Sequence, residues 1–425
     1  MHGPLTAQPL GAGAAASEEL YAKLTVAAGV FFVVLELSYF VMAGPHAFGK
    51  LPLDDFGSAI GRDFLNSWMG GRSAFSGGPA PWFDFQAYNT VLRQITGHPD
   101  FPDLFWSYPP HIVLFLWPLG LLSYLPAYVV WCVAGLALYL LAAWSGGVSR
   151  KYMLFLALAP GVAVNVFFGQ NGFLTAALLI GGLANLDRRP IVSGILFGIL
   201  TVKPQFGLLL PVLLVMTARW RVIAAAVATT AALVAVTSLW FGADIWLEYV
   251  RKVTPQQHWL LTQGGGLLLP MVASAFVNAR AAGLPLAADW AVQAVASGAA
   301  LLMVVWTFWR QRDPVLSLAL FVTATFLFSP WMLNYDMVVF GWVVALLHQR
   351  ADNTVADERL AIAVWALPVI MLLFGAGHIP IAMLVLPLFA GRLVWRLSQR
   401  AVPDAVAGAA SGNVAAVPLA DMPAQ

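Results

Sequence analysis

Charge is scarce in this chain of 425 residues: Asp, Glu, Lys and Arg together make up 10% of it, against about a quarter in a soluble domain. With 60% hydrophobic residues and a mean hydropathy of +0.79, water is excluded as the main solvent, and soluble metabolic folds with it. Cysteine is nearly absent. Cys132, the only one, lies in an apolar run, so there is no disulfide framework and no thiolate metal site, and the residue reads as core packing. There is no basic tract, and 22 Lys plus Arg against 20 Asp plus Glu leave a net charge of +2, which argues against a nucleic-acid partner. His258 and His378 read as loop residues outside any HExxH-like spacing, and no phosphate-binding P-loop, nucleophile elbow or dinucleotide fingerprint occurs. Residues 1–20 lack a basic stretch followed by an apolar core and a cleavage site, so 24–42 reads as a retained first span. Polar low-complexity sequence is confined to the ends, which leaves an N-terminal tail at 1–23, a membrane domain at 24–396 and a C-terminal tail at 397–425 that is expected to be disordered.

What the sequence has in abundance is apolar runs. They fall at 24–42, 110–122, 124–144, 152–168, 173–186, 191–216, 222–241, 267–277, 290–309, 315–328, 337–347, 360–374 and 379–395. A bilayer core about 30 Å thick asks for about 20 apolar residues per helix, so the pattern predicts an all-α polytopic membrane protein with roughly 10 to 13 transmembrane or re-entrant helices. Two polar stretches interrupt it, a long one at 43–107 and a shorter one at 242–266. Basic residues gather at Arg150/Lys151, Arg188/Arg189, Arg219/Arg221, Arg310/Arg312, Arg350 and Arg392/Arg396/Arg400, and the positive-inside rule assigns those tips to the cytoplasm. The opposite tips, Gly169-Gln170-Asn171, Lys203-Pro204-Gln205, 329–336 and 375–378, then collect on the external face beside a large first extracytoplasmic loop at 43–107. This parity requires one net crossing over 110–144 and a non-spanning 267–277.

Polar residues inside apolar runs carry the chemistry. A cation at the bilayer centre costs roughly 2.5–3.5 kcal/mol on insertion scales. Lys203, followed by the helix-breaking Pro204, therefore reads either as a binder of phosphate or pyrophosphate or as a lysine snorkelling to the interface. Arg62 is a second candidate for the anion. Asp63 lies in Gly61-Arg62-Asp63-Phe64, where a carboxylate can take a proton from a substrate hydroxyl, but Asp54, Asp55, Asp84, Asp100 and Asp103 compete, and loop aspartates commonly cap helices. Glu36, inside the first span, reads as functional or as protonated or paired. Tyr108-Pro109-Pro110-His111 ends the loop and opens an apolar run, a common structural use of proline. Gln170 and Asn171 form a polar turn that either binds sugar hydroxyls or closes a hairpin, and Asn334, Tyr335 and Asp336 repeat that logic.

Taken in order, Gly61-Arg62-Asp63-Phe64, Pro81-Trp82-Phe83-Asp84, Tyr108-Pro109-Pro110, Gly169-Gln170-Asn171, Lys203-Pro204-Gln205, Ser329-Pro330-Trp331 and Tyr335-Asp336 resemble glycosyltransferase family 87, of the GT-C superfamily, over 24–347. Trp82-Phe83 stands between Pro81 and Asp84 where the family commonly has a single tyrosine. Asn334-Tyr335-Asp336 stands where a tryptophan and histidine pair is frequent. The resemblance implies a GT-C-type bundle in a bacterial cytoplasmic (inner) membrane that moves a hexose, typically mannose, from a polyprenyl-phosphate carrier to a glycolipid or glycan acceptor, with its active site facing outward. It implies Asp63 as catalytic base, Lys203 and Arg62 at the donor phosphate, and Tyr108, His111, Gln170, Asn171, Gln205, Asn334 and Asp336 around the substrate cavity. No cofactor is implied and no metal-ligand set stands out, which leaves the use of a divalent metal open. A transporter or lipid flippase is the alternative from another class, since broken helices and intramembrane polar residues also mark substrate pathways; a non-catalytic partner subunit is a third.

Overall fold

A computed structural model describes residues 12–43, 51–53, 57–74, 82–266, 268–310, 313–375, 377 and 379–399. Asp54, Asp55, Pro81, Arg312, His378, Arg400 and the tail whose disorder the composition suggests lie outside the described residues, as do residues 1–11 of the N-terminal tail. The described residues are helices and turns with two isolated bridges, Leu53 to Ala59 and Val272 to Leu333.

Helix α1 (Ala12–Ala43) opens the chain. The polar stretch then forms α2 (Phe64–Ser73) and α3 (Phe85–Thr96), the latter capped by Asp84, whose carboxylate accepts from Ala87 N at 2.9 Å. A short α4 (Val113–Leu116) sits between 3-10 turns at Pro110–Ile112 and Trp117–Leu121 and is followed by α5 (Tyr124–Ser145). α6 (Met153–Ala157) and α7 (Pro160–Phe168) form one path bent by 48° at a break that Pro160 closes. α8 (Gly172–Ala184), α9 (Pro190–Ile199), α10 (Leu210–Met216) and α11 (Trp220–Phe241) follow as a back-and-forth series. Four short helices come next: α12 (Asp244–Glu248), α13 (Thr254–Gln263), α14 (Leu268–Met271) and α15 (Ala275–Ala281). α16 (Leu286–Trp309), α17 (Pro314–Phe328), α18 (Val339–His348), α19 (Val355–Gly375) and α20 (Ile381–Gln399) complete the bundle.

Six of these helices, α1, α5, α11, α16, α19 and α20, contain stretches long and apolar enough to cross a membrane. The bent α6–α7 path makes a seventh. The protein is thus an all-α polytopic membrane protein. α8, α17 and α18 are shorter and largely buried inside the bundle, where the neighbouring helices rather than lipid surround them. Their polar breaks are tolerable at depth for that reason.

The run at 110–122 adds no crossing. Trp68 of α2 donates through Nε1 to Leu122 O at 3.0 Å, and the Gly120 backbone lies directly against that of Gly71, so the run folds back on the first-loop lobe and only α5 crosses after it. Residues 268–281 stay at the same end, because Ala273 N donates to Met332 O at 2.7 Å in the turn between α17 and α18. The chain consequently has two polar ends. At one, Arg350 meets Asp313 at 2.7 Å, Arg396 meets Asp352 at 2.5 Å, Arg392 meets Asp357 at 2.7 Å, and Arg219 pairs with Asp187. The other end carries the first-loop lobe, whose core is aromatic: Phe64, Trp68, Trp82, Trp106, Tyr124 and Tyr128 pack together there.

Candidate functional site

Two turns dock against each other at the lobe end. In the first, Gly61 (φ 75°) and Arg62 (φ 38°) are both left-handed, which swings the chain sharply before α2 begins. In the second, Gly169 (φ 59°) ends α7. A Cβ at Gly169 would lie 2.4 Å from Phe64 Cβ and 2.6 Å from Gly61 O, so glycine is what permits the contact. Trp131 of α5 fixes the second turn by donating from Nε1 to Gly169 O (3.1 Å) and Gln170 O (3.2 Å). Tyr124 fixes the first by donating to Ile60 O at 2.7 Å.

The product of this docking is a short hydrogen bond from Gln170 Nε2 to Asp63 Oδ2, 2.5 Å long. Asp63 stands at the N-cap of α2, yet its side chain makes no capping hydrogen bond. The carboxylate is committed to Gln170 instead of to its own helix. Burial raises its pKa above the ordinary aspartate value, against the opposing effects of the Gln170 hydrogen bond and the Arg62 charge. Asp63 is nonetheless only half-buried, as is Tyr108. The carboxylate is thus desolvated yet keeps some contact with solvent, and a raised pKa improves it as a proton acceptor near neutral pH.

A second pair lies on the other side of Tyr108. Lys203 occupies the break between the 3-10 turns Leu200–Val202 and Pro204–Gly207, where Pro204 cannot continue the helical hydrogen-bond ladder. Its Nζ is 2.5 Å from Asp336 Oδ1 and 4.4 Å from the centroid of the Tyr335 ring. Both partners are sealed from solvent, at 4% and 0% exposure. The ammonium therefore does not snorkel to an interface. It is held inside by a carboxylate 133 residues away along the chain. Asn165 supports the pair from α7 by donating to Tyr335 O at 2.6 Å.

Tyr108 lies between the two pairs: its hydroxyl pKa is raised by burial and then by the charges of both Asp63 and Asp336, and Asn171 is its neighbour. Asn171 is buried beside the Tyr108 hydroxyl, and neither its amide oxygen nor its amide nitrogen makes a hydrogen bond of ordinary geometry. Leaving such a group unmet costs about 1–3 kcal/mol, a cost that a site recovers when a ligand supplies the partner.

The remaining candidates have other surroundings. Arg62 places its guanidinium over the rings of Tyr39 (5.8 Å) and Phe167 (5.5 Å). His111 is sealed, with Nε2 3.2 Å from Thr201 Oγ1 and its ring stacked on Trp246 at 5.5 Å; its Nδ1 is buried without a hydrogen-bond partner. Asn334 is fully buried and structural in its contacts, donating to Pro368 O at 3.0 Å beside the proline of α19 and accepting from Tyr335 N. Gln205 is half-buried, next to the exposed Pro204 and three residues before the exposed Leu208. Among the described residues no three His, Cys, Asp or Glu side chains converge on one point.

Trp131, Asn165 and Trp246 were not foreseen. Asn165 could have been, as a lone amide within an apolar run. The two tryptophans carry no local signal, because their role lies in which carbonyl or ring they meet across the fold.

A family model, that of glycosyltransferase family 87, matches residues 106–330, which includes Tyr108, Gln170, Asn171 and Lys203. No curated protein and no solved structure matches the chain.

Proposed function

Given that the chain belongs to glycosyltransferase family 87, we propose that it transfers a hexose, with mannose the first candidate, from a polyprenyl-phosphate carrier to a hydroxyl of a glycolipid or glycan. The reaction takes place on the extracytoplasmic face of a bacterial cytoplasmic membrane. The observation that carries this reading is Asp63: a half-buried carboxylate with a raised pKa, oriented by a neutral amide and free of capping duty.

Asp63 accepts the proton of the acceptor hydroxyl as that oxygen attacks the anomeric carbon. The bond from the anomeric carbon to the phosphate oxygen breaks, and its electron pair leaves with the carrier phosphate. A single in-line displacement inverts the anomeric configuration. The leaving phosphate is stabilised by Lys203, whose Nζ keeps donor capacity beyond its bond to Asp336. Arg62 adds positive charge beside Asp63. Asn171 and Tyr108 offer hydrogen bonds to sugar hydroxyls. The isoprenoid tail stays in the bilayer along the exposed Pro204 and Leu208, one to five residues from the lysine. Placing the arginine end in the cytoplasm follows the positive-inside rule and turns the site outward.

The test is incubation of the purified protein in lipid with radiolabelled polyprenyl-phosphate-mannose and a membrane lipid extract. The expected result is label in a new glycolipid, with its anomeric configuration inverted relative to the donor. Label that crosses the membrane without forming a new bond would overturn the reading in favour of a transporter.

A further inference from the structure

At the arginine end, α16 forms most of a groove of about 630 Å³ to which α20 contributes Val394. Leu302, Met303, Trp306 and Val394 line it together with Trp309 and Arg310, the last residue and the C-cap of α16. The lining is apolar along its length and cationic only at the end that reaches the membrane boundary. Trp309 is 74% exposed, the setting of an interfacial tryptophan.

Charge separates this arginine from its neighbours. Arg350, Arg392 and Arg396 are each neutralised by aspartates of the α17–α20 region. Arg310 is exposed and forms no ion pair with a described residue. A cation in that position, above an apolar trough, is complementary to one kind of molecule in its surroundings: an acyl chain joined to an anionic headgroup.

We propose that the α16–α20 groove is a binding site for an anionic phospholipid of the surrounding leaflet. An acyl chain lies along Leu302, Met303, Trp306 and Val394, and the phosphate meets the Arg310 guanidinium beside Trp309. The site is independent of the transfer reaction, so it stands or falls separately from the role given to Asp63.

The test uses the full chain in nanodiscs that contain phosphatidylglycerol with a photoreactive diazirine in its acyl chain, or the matching phosphatidylcholine probe. After irradiation and digestion, the labelled peptides are read by mass spectrometry. Label is expected at 302–306 and at 394, and stronger with phosphatidylglycerol. Replacing an exposed arginine at a helix end does not threaten the fold, so Arg310→Gln should lower phosphatidylglycerol labelling at these positions about tenfold, the equivalent of one charge-assisted hydrogen bond. Leu302→Trp, which fills the trough, should lower labelling by both probes there. Equal labelling by the two probes, or phosphatidylglycerol labelling unchanged in Arg310→Gln, would overturn the proposal.

Discussion

The two ends of this bundle treat charge in opposite ways. At the arginine end, cations meet anions in a redundant network: Arg396 reaches both Asp352 and Asp357, and Asp357 is shared with Arg392. Several of those residues keep contact with solvent, so each pair is worth little alone. Around the candidate site at the lobe end, the charged and polar groups are held singly. Asp63 is oriented by a neutral amide, Lys203 has one carboxylate, and the Asn171 amide makes no hydrogen bond of ordinary geometry. The first arrangement anchors helices at a membrane surface. The second keeps polar capacity in reserve, at a stability cost that a purely structural region would have no reason to retain.

Lys203→Met is the hardest blow to the lobe end. It strands Asp336 as a buried, uncompensated charge, and breaking such a pair costs about 3–5 kcal/mol. The expected outcome is poor recovery of folded protein, read by thermal unfolding in detergent. Lys203→Met with Asp336→Leu should restore stability without restoring affinity for polyprenyl phosphate. A double variant that binds the carrier like the wild type would remove Lys203 from the phosphate.

Gly169→Ala should come next. It forces a Cβ into Phe64 and Gly61 O at a positive φ, at a cost on the order of 1–3 kcal/mol. The predicted signature is a drop in the unfolding temperature together with a loss of transfer, because the same contact sets the Gln170–Asp63 bond. Unchanged activity in a destabilised Gly169→Ala protein would separate the docking of the turns from the chemistry. Arg392→Gln, at the other end, should cost about 1 kcal/mol or less and leave transfer at the wild-type rate.

The finest test is a pH profile. Transfer should fail as pH falls through the pKa of Asp63, which burial holds above the usual aspartate value. The Gln170 hydrogen bond pulls that pKa down, so Gln170→Leu should move the acid limb to higher pH. A folded-state carboxyl pKa above its unfolded value also means that the ionised group weakens the fold, with the loss growing as pH rises from the unfolded toward the folded pKa. Asp63→Asn should therefore be no less stable than the wild type at neutral pH. An acid limb that stays in place in Gln170→Leu would show that Gln170 does not tune Asp63.

Much of this was legible in the sequence, for identifiable reasons. Apolar runs announce membrane helices directly, and basic tips sort the turns into two ends, so Gly169-Gln170-Asn171 and Lys203-Pro204-Gln205 could be placed beside the first loop. Lys203 advertised itself as a cation in an apolar context, but its counter-ion did not. Asp336 looked like a wall of the substrate cavity, and only the packing of α7 against the turn before α18 turns it into the partner of the lysine. Asn334 looked equivalent, and its bond to the Pro368 carbonyl, 34 residues later, had no signal in the sequence. Such pairings depend on distances between remote elements, which no local pattern encodes. The choice among the loop aspartates was opaque for the same reason. Asp84 and Asp63 both stand at helix N-caps, and only the first spends its carboxylate there.

The central claim, that Asp63 takes the acceptor proton rather than holding the donor, is tested most directly on a single preparation of Asp63→Asn in lipid. Binding of polyprenyl-phosphate-mannose and transfer of its label would be measured side by side with the wild type. The account predicts wild-type donor affinity and a transfer rate lower by roughly 10²-fold or more, the range of a lost general base. Transfer at the wild-type rate by Asp63→Asn would contradict it.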